Sequence, residues 1–362
     1  MFALIARSRP WSRWLAGLVI VVVALAAVGL RGRVAPPQER WQAIQEAVRQ
    51  GRWDEAEARL TGWLGDAPGD GHARLMLGGL LGVRGRDDEA RAVLGRIPAA
   101  DAAWPRAQEA LGELALKRHD APGAERAFRA AAARDRRAVE PRRRLVYLLM
   151  LQQRSEEARA VLRELYGLDP DPRHLEGLVA LALAEPDARD LGPELAQFLA
   201  RTPDDPWLRR ARGLSLLRLG RPAEARPHLE AAAAALEDDP MGRFALAECR
   251  LLLGAPATEI DAALGPEPDA PSDRARWWLL RGRAAEARGE SERADACWRR
   301  AAAADPGDHI AQYRLGQALV RRGEAEAARA HLDRAEVLRT VEAELTAALR
   351  PPAGGPRGPE AF

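Results

Sequence analysis

The chain has 362 residues, with 55 basic against 53 acidic and a formal net charge of +2. No block of like charge stands out, which argues against a nucleic-acid surface or an acidic tail. The two cysteines, Cys249 and Cys297, form no CxxC or CxxxC pair, so zinc and thioredoxin-type chemistry are excluded and both read as small buried apolar residues.

Alanine, leucine, arginine and glutamate dominate, and β-branched residues are few beyond the first 30. That composition favours helix over strand, so an all-α fold is expected. Lys117 is the only lysine and asparagine is absent. Arginine is therefore the default cation of this chain, and its presence alone does not signal guanidinium chemistry.

Residues 14–30 read WLAGLVIVVVALAAVGL, a run without a charge. It reaches the lower length limit for a transmembrane helix. Arg7, Arg9 and Arg13 precede it, Arg31 and Arg33 follow, and Trp11 and Trp14 stand where an interfacial belt would. The bias predicts a cytoplasmic segment at 1–13, a single N-in anchor at 14–30 and a linker at 31–36. The competing reading is a cleaved signal peptide with Ala24-Leu25-Ala26 as its cleavage motif. The anchor is preferred because the apolar run continues past that motif, and both readings export the rest of the chain. With no cysteine nearby, a lipoprotein anchor is excluded.

Beyond the linker, short turn signals recur: QGRWDEA, RGRDDEA, LGRPAEA, RGESERA and RGEAEAA. Their glycines are Gly51, Gly85, Gly220, Gly289 and Gly323, with Gly254 as another rung. His119, Gln153 and Asp187 continue the register where glycine is missing. The spacing is that of a helix–turn–helix repeat of ~34 residues. A small residue recurs in the middle of the first helix: Gly78, Gly112, Gly213, Gly282 and Gly316, with Ala180 and Ala247 approximating it. Mid-helix glycine costs ~1 kcal/mol against alanine, so a recurring one needs a packing reason. Ala56, Ala90, Ala124, Ala158, Ala225, Ala294 and Ala328 recur early in the second helix. Four residues later comes a large apolar side chain: Leu60, Leu94, Phe128, Leu162, Leu229, Trp298 or Leu332. Pro68, Pro170 and Pro306 stop second helices.

On these positions the chain resembles the tetratricopeptide repeat family. Nine units are read at 37–70, 71–104, 105–138, 139–172, 173–205, 206–239, 240–274, 275–308 and 309–342. Two depart from the pattern. In the fifth, Gly192 and Ala196 take the alanine and large-apolar positions and Pro186 and Pro193 bracket the turn; in the seventh, the second helix is short and GPEPDAPSD at 265–273 follows it. That stretch is the expected first site of proteolysis. Residues 343–350 are expected to continue as an amphipathic capping helix, and 351–362 to be a disordered tail by composition.

The resemblance implies a right-handed superhelical solenoid whose concave first-helix face captures peptides or helices of partner proteins. Carried onto this register, the groove positions are Arg143, Tyr147, Arg210, Leu214, Arg276, Arg283, Tyr313 and Gln317, with Glu248 as an acidic exception. Those arginines suggest an acidic peptide or a free C-terminus as ligand. Exported, tethered relatives imply a role in envelope-protein assembly or chaperoning, and so an inner-membrane protein with a periplasmic array.

A search for chemistry leaves little. Lys117 follows no glycine-rich loop, Gly213-Leu214-Ser215 lacks the last glycine of a nucleophile elbow, and the six histidines form no HExxH pair. No cofactor, metal or catalytic residue is expected. One alternative is carried forward, a helical-solenoid glycan-cleaving enzyme using Glu109 and Glu113, which stand four apart on one helix face.

Overall fold

The computed structural model describes residues 37–174, 177–178 and 192–348. The predicted anchor at 14–30, the linker, most of the fifth unit's first helix and the tail lie outside the described residues. Within them there is no strand, and no helix is long and apolar enough to cross a membrane.

The chain divides into two compact units, ending at Arg96 and beginning at Ile97. The first holds α1 (Pro37–Arg49), α2 (Trp53–Asp66), α3 (Gly71–Val83) and α4 (Asp87–Leu94). The second holds α5 (Trp104–Lys117), α6 (Ala121–Arg134), α7 (Glu140–Leu151), α8 (Ser155–Leu168), α9 (Gly192–Arg201) and α10 (Pro206–Arg218). It continues through α11 (Pro222–Ala235), α12 (Pro240–Leu252), α13 (Ala257–Leu264), α14 (Pro271–Ala287), α15 (Ser291–Ala304), α16 (His309–Arg321) and α17 (Ala325–Ala348). The architecture is an all-helical solenoid of hairpins.

Helix starts follow from local chemistry. The carboxylates of Asp70, Asp120, Asp205 and Asp308 accept from backbone N–H groups in the first turns of α3, α6, α10 and α16, satisfying donors that the helix itself leaves free. Pro206, Pro222, Pro240 and Pro271 open their helices, where a missing N–H costs nothing.

The two sequence signals of each hairpin meet in space. A Cβ on Gly78 would lie 2.5 Å from Leu94, on Gly112 2.5 Å from Phe128, on Gly213 2.5 Å from Leu229, on Gly282 2.4 Å from Trp298 and on Gly316 2.7 Å from Leu332. Each first-helix glycine is the floor on which the second helix's large side chain rests. Phe128 and Trp298 are fully buried there, each worth roughly 1.5–3 kcal/mol of transfer free energy. Ala56, Ala90, Ala124, Ala158 and Ala225 are also fully buried, where anything larger would push the helices apart.

The hairpins do not stack uniformly. Leu145, Leu148 and Leu151 of α7 join one core with Phe128 of α6, Leu195 and Phe198 of α9, and Leu208 and Ala211 of α10. Val146 of α7 faces a second core, with Leu162 and Leu165 of α8. Helix α7 is therefore buried on two sides, and the chain beyond α8 returns to it.

The stretch after α13 differs from its sequence-based expectation as a loose loop. The Trp277 indole N–H donates to the Gly265 carbonyl at 3.2 Å, and that of Trp278 to Glu267 Oε1 at 3.1 Å. Arg274 reaches the carbonyls of Pro268 and Asp269 at 3.2 and 2.8 Å. The weak-point expectation rested on helix-breaking prolines with little to bury; side chains of the following helix bond to the stretch at these points.

Candidate functional site

The turn between α7 and α8 is built into a buried polar network. Gln152, Gln153 and Arg154 are all buried, as are Glu125, Arg210 and Asp239. Arg210 pairs with Asp239 at 2.7 Å, and its Nη2 donates to the carbonyl oxygens of Gln152 and Gln153, both at 2.9 Å. Gln153 Nε2 in turn donates to the Ala211 carbonyl at 3.2 Å. Arg154 pairs with Glu125 and with Glu157, both at 2.7 Å. The Trp207 ring lies between two guanidiniums, 4.4 Å from that of Arg154 and 4.7 Å from that of Arg210.

Burial pulls the Arg210 guanidinium below its usual pKa, only partly offset by Asp239. Burial acts the same way on Arg154, but the Glu157 and Glu125 carboxylates outweigh it and hold it above the usual range.

These contacts place each predicted groove residue. Arg210 faces inward, its Nη1 on Asp239 and its Nη2 on the α7–α8 turn. Arg143 pairs with Asp169 at 3.0 Å. Tyr147 is buried and its hydroxyl donates to Glu194 of α9. Burial, reinforced by Glu194, raises that phenol well above its usual pKa. Leu214 is half-buried against the core of α12 and α14. Arg276 reaches Met241 Sδ at 3.1 Å and lies over the Phe244 ring, while Arg283 pairs with Glu248 at 2.8 Å. Tyr313 is 47% exposed, and its hydroxyl accepts from Gln317 Nε2 at 2.7 Å. The register thus brings Arg276 and Arg283 together with α12, and Tyr313 with Gln317 on α16. It does not join these with Arg143 and Tyr147, whose partners lie elsewhere.

Sequence reasoning missed two neighbours of Tyr313. Ile310 is 45% and Val320 56% exposed, and with Tyr313 and Gln317 they follow the i, i+3, i+7, i+10 spacing of one helix face. The signal was present as an apolar residue recurring on the same side of a first helix as Tyr313.

The Glu109–Glu113 pair is not a matched acid and base. Glu113 is paired with Arg144 at 2.7 Å. Burial raises the pKa of both carboxylates; Glu140 and Glu113 add to the effect on Glu109, whereas Arg144 opposes it on Glu113. In the first compact unit, Asp54, Glu57, Arg84 and Arg86 line a shallow cleft. Its charges satisfy one another, with Arg84 on Asp54 and Glu57 and Arg86 on Glu57 at 2.7–2.8 Å. Among the described residues no group of three or more His, Cys, Asp or Glu side chains could hold a metal ion.

Two family models, each described as tetratricopeptide repeat, match residues 47–114 and, in three copies, 109–171, 210–273 and 279–342. The chain belongs to the tetratricopeptide repeat family. Its members are generally non-catalytic scaffolds for protein–protein interaction. No curated protein sequence matches this chain. Among solved structures, the match to the APC/C hetero-tetramer Cut9–Hcn1 has 13% identity, covers 85% of this chain and 73% of that one, and has a TM-score of 0.38. A tetratricopeptide repeat protein from Parabacteroides merdae matches at 14% identity over 78% of this chain and 98% of that one, also with a TM-score of 0.38. At such scores the likeness bears on neither partner nor activity.

Proposed function

We propose that this tetratricopeptide repeat protein is a membrane-tethered scaffold that captures segments of partner proteins on the first-helix face of its C-terminal hairpins. Residues 14–30 anchor it N-in, the array lies on the periplasmic side, and the captured proteins are clients of envelope assembly or chaperoning. The observation that carries the reading is the α16 face on which Ile310, Tyr313 and Val320 are exposed, with half-buried Gln317 between them. A tyrosine flanked by aliphatic side chains offers rigid contact area at low entropic cost, as protein-binding surfaces do. Of the predicted groove arginines, Arg283 on α14 pairs with Glu248 and Arg276 reaches Met241. An acidic segment would have to compete with Glu248 for Arg283, so charge here tunes affinity rather than supplying it.

The test is affinity capture of the full chain from detergent-solubilised membranes, with identification of the partner and measurement of its affinity. Tyr313→Ala is expected to weaken binding by at least tenfold, the behaviour of an interface anchor worth ~1.4 kcal/mol or more. Arg283→Glu is expected to weaken it at low salt and much less at high salt. Unchanged affinity in Tyr313→Ala would reject this face as the capture site. Intact-mass analysis of the membrane-extracted protein tests the anchor, because a mature N-terminus near Ala27 would identify a signal peptide instead.

A further inference from the structure

Helix α17 spans 24 residues, whereas the second helices α2, α6, α8, α11 and α15 each span 14. Its first turns pack on α16: Ala328 and Ala335 are buried, Leu332 lies against Gly316, and His331 Nδ1 is 2.7 Å from Gln312 Oε1. A last tie, His309 to Glu342 at 3.0 Å, fixes where α17 passes the start of α16. The opposite face has no partner among the described residues. It carries Val337, Val341 and Leu345, which are 62%, 47% and 39% exposed. At spacings of four they form one stripe, extended by the exposed Ala327, Ala330 and Ala348. Arg334 lies within the stripe's bounds, but its Nε donates back to the Pro306 carbonyl at 3.1 Å.

The stripe has a charged margin of one sign. At about 100° per residue, Glu326, Asp333 and Glu344 fall on the same flank of Val337 and Val341. All three are exposed and none has an ion pair among the described residues. Arg329, the cation on that side, lies further round the helix. At two other second helices a carboxylate of the first turn is matched by an arginine, Glu224 by Arg221 and Glu89 by Arg86. The margin of α17 is thus an unmatched acidic edge beside an unmatched apolar stripe.

We propose that this outward face of α17 is a second docking site, separate from the first-helix groove, and that it takes an amphipathic helix of a partner protein whose apolar stripe is flanked by Lys or Arg. The stripe supplies apolar burial, and the acidic flank selects the sign of the partner's margin and speeds its approach. A second copy of this chain fits less well. Antiparallel pairing about a two-fold axis would set acidic flank against acidic flank, a like-charge contact that opposes association.

The test uses the full chain and two fluorescent synthetic helices of 18 residues, with the same leucine stripe flanked by lysine in one and by glutamate in the other. Fluorescence anisotropy at low salt reads the affinities. The lysine-flanked helix is expected to bind roughly tenfold tighter, the effect of a few exposed ion pairs acting together. Val341→Asp is expected to abolish binding of both helices without changing the melting curve, since the residue is exposed. The double variant Asp333→Lys with Glu344→Lys is expected to reverse the preference. Equal binding of the two helices, or unchanged binding in Val341→Asp, overturns the proposal. So does a dimer seen in sedimentation equilibrium that Val341→Asp dissociates, since the stripe would then be covered by a second copy.

Discussion

Two kinds of hairpin turn occur in this protein. At Gly85, Gly220, Gly254, Gly289 and Gly323 the backbone takes φ values of 68–78°, a left-handed conformation that glycine adopts without cost. At His119 and Gln153 the same position has φ of 57° and carries a side chain. Those two turns are the ones that α9 and α10 cover. The His119 ring meets Phe198 edge-on at 5.1 Å, and Gln153 bonds to Ala211. A non-glycine residue in this conformation costs roughly 1–2 kcal/mol. It is retained where a contact across the fold offsets that cost, so an open turn is only a link whereas a covered turn is an interface.

The largest expected effect breaks the covered junction. Arg210→Ala should cost about 3–5 kcal/mol, because it strands the buried Asp239 and two carbonyls. Arg221→Ala, at an open turn where Arg221 pairs with Glu224 on the surface, should change stability by less than about 0.5 kcal/mol. Urea unfolding of the pair measures both, and equal midpoints would remove the distinction between the two kinds of turn.

Next in size is the hairpin crossing common to both regions. Gly282→Ala puts a methyl into the Trp298 ring and should cost about 1–3 kcal/mol despite the better helix propensity of alanine. A gain in melting temperature would mean the crossing is loose.

The strapped stretch after α13 gives a protease readout. In the parent chain, limited digestion should not cut first within residues 265–270. Trp277→Phe removes the indole N–H that holds the Gly265 carbonyl, and cleavage there should then advance. First cleavage at that stretch in the parent would restore the weak-loop expectation.

Exchanging turn residues sharpens the comparison further. Gly220→Gln should destabilise by ~1 kcal/mol through backbone strain alone. Gln153→Gly relieves strain but loses the bond to Ala211, so it should destabilise by ~1 kcal/mol or less rather than stabilise. A stabilised Gln153→Gly would show that the side chain there contributes nothing.

The smallest effect is electrostatic. Burial, then Glu140 and Glu113, raise the Glu109 carboxyl above its ordinary pKa. The folded state therefore holds this proton to higher pH than the unfolded chain. Stability from this group falls as pH rises from the unfolded carboxyl range through the folded value. Glu109→Gln should raise the melting temperature slightly at neutral pH and not at about pH 3, where the parent carboxyl is already protonated in both states. A gain that is the same at both pH values would assign the effect to packing.

Much of this was legible from local pattern. The helical class, the repeat pattern and the glycine crossings all depend on residues within one hairpin, and spacing in sequence reports those directly. The groove was only partly legible. The register put Arg210 and Tyr313 at equivalent positions of first helices, but Arg210 is 3% exposed and Tyr313 47%. What separates them is the α7–α8 turn, whose Gln152 and Gln153 lie more than fifty positions before Arg210 in the chain. The absent glycines at 119 and 153 were the one local trace of that contact. Sequence by itself determined the repeating unit, because its signals are the packing partners inside each hairpin. Only the tertiary structure decided which arginines face solvent and which turns are interfaces, because burial of a charge depends on distant residues that no fixed spacing ties to it.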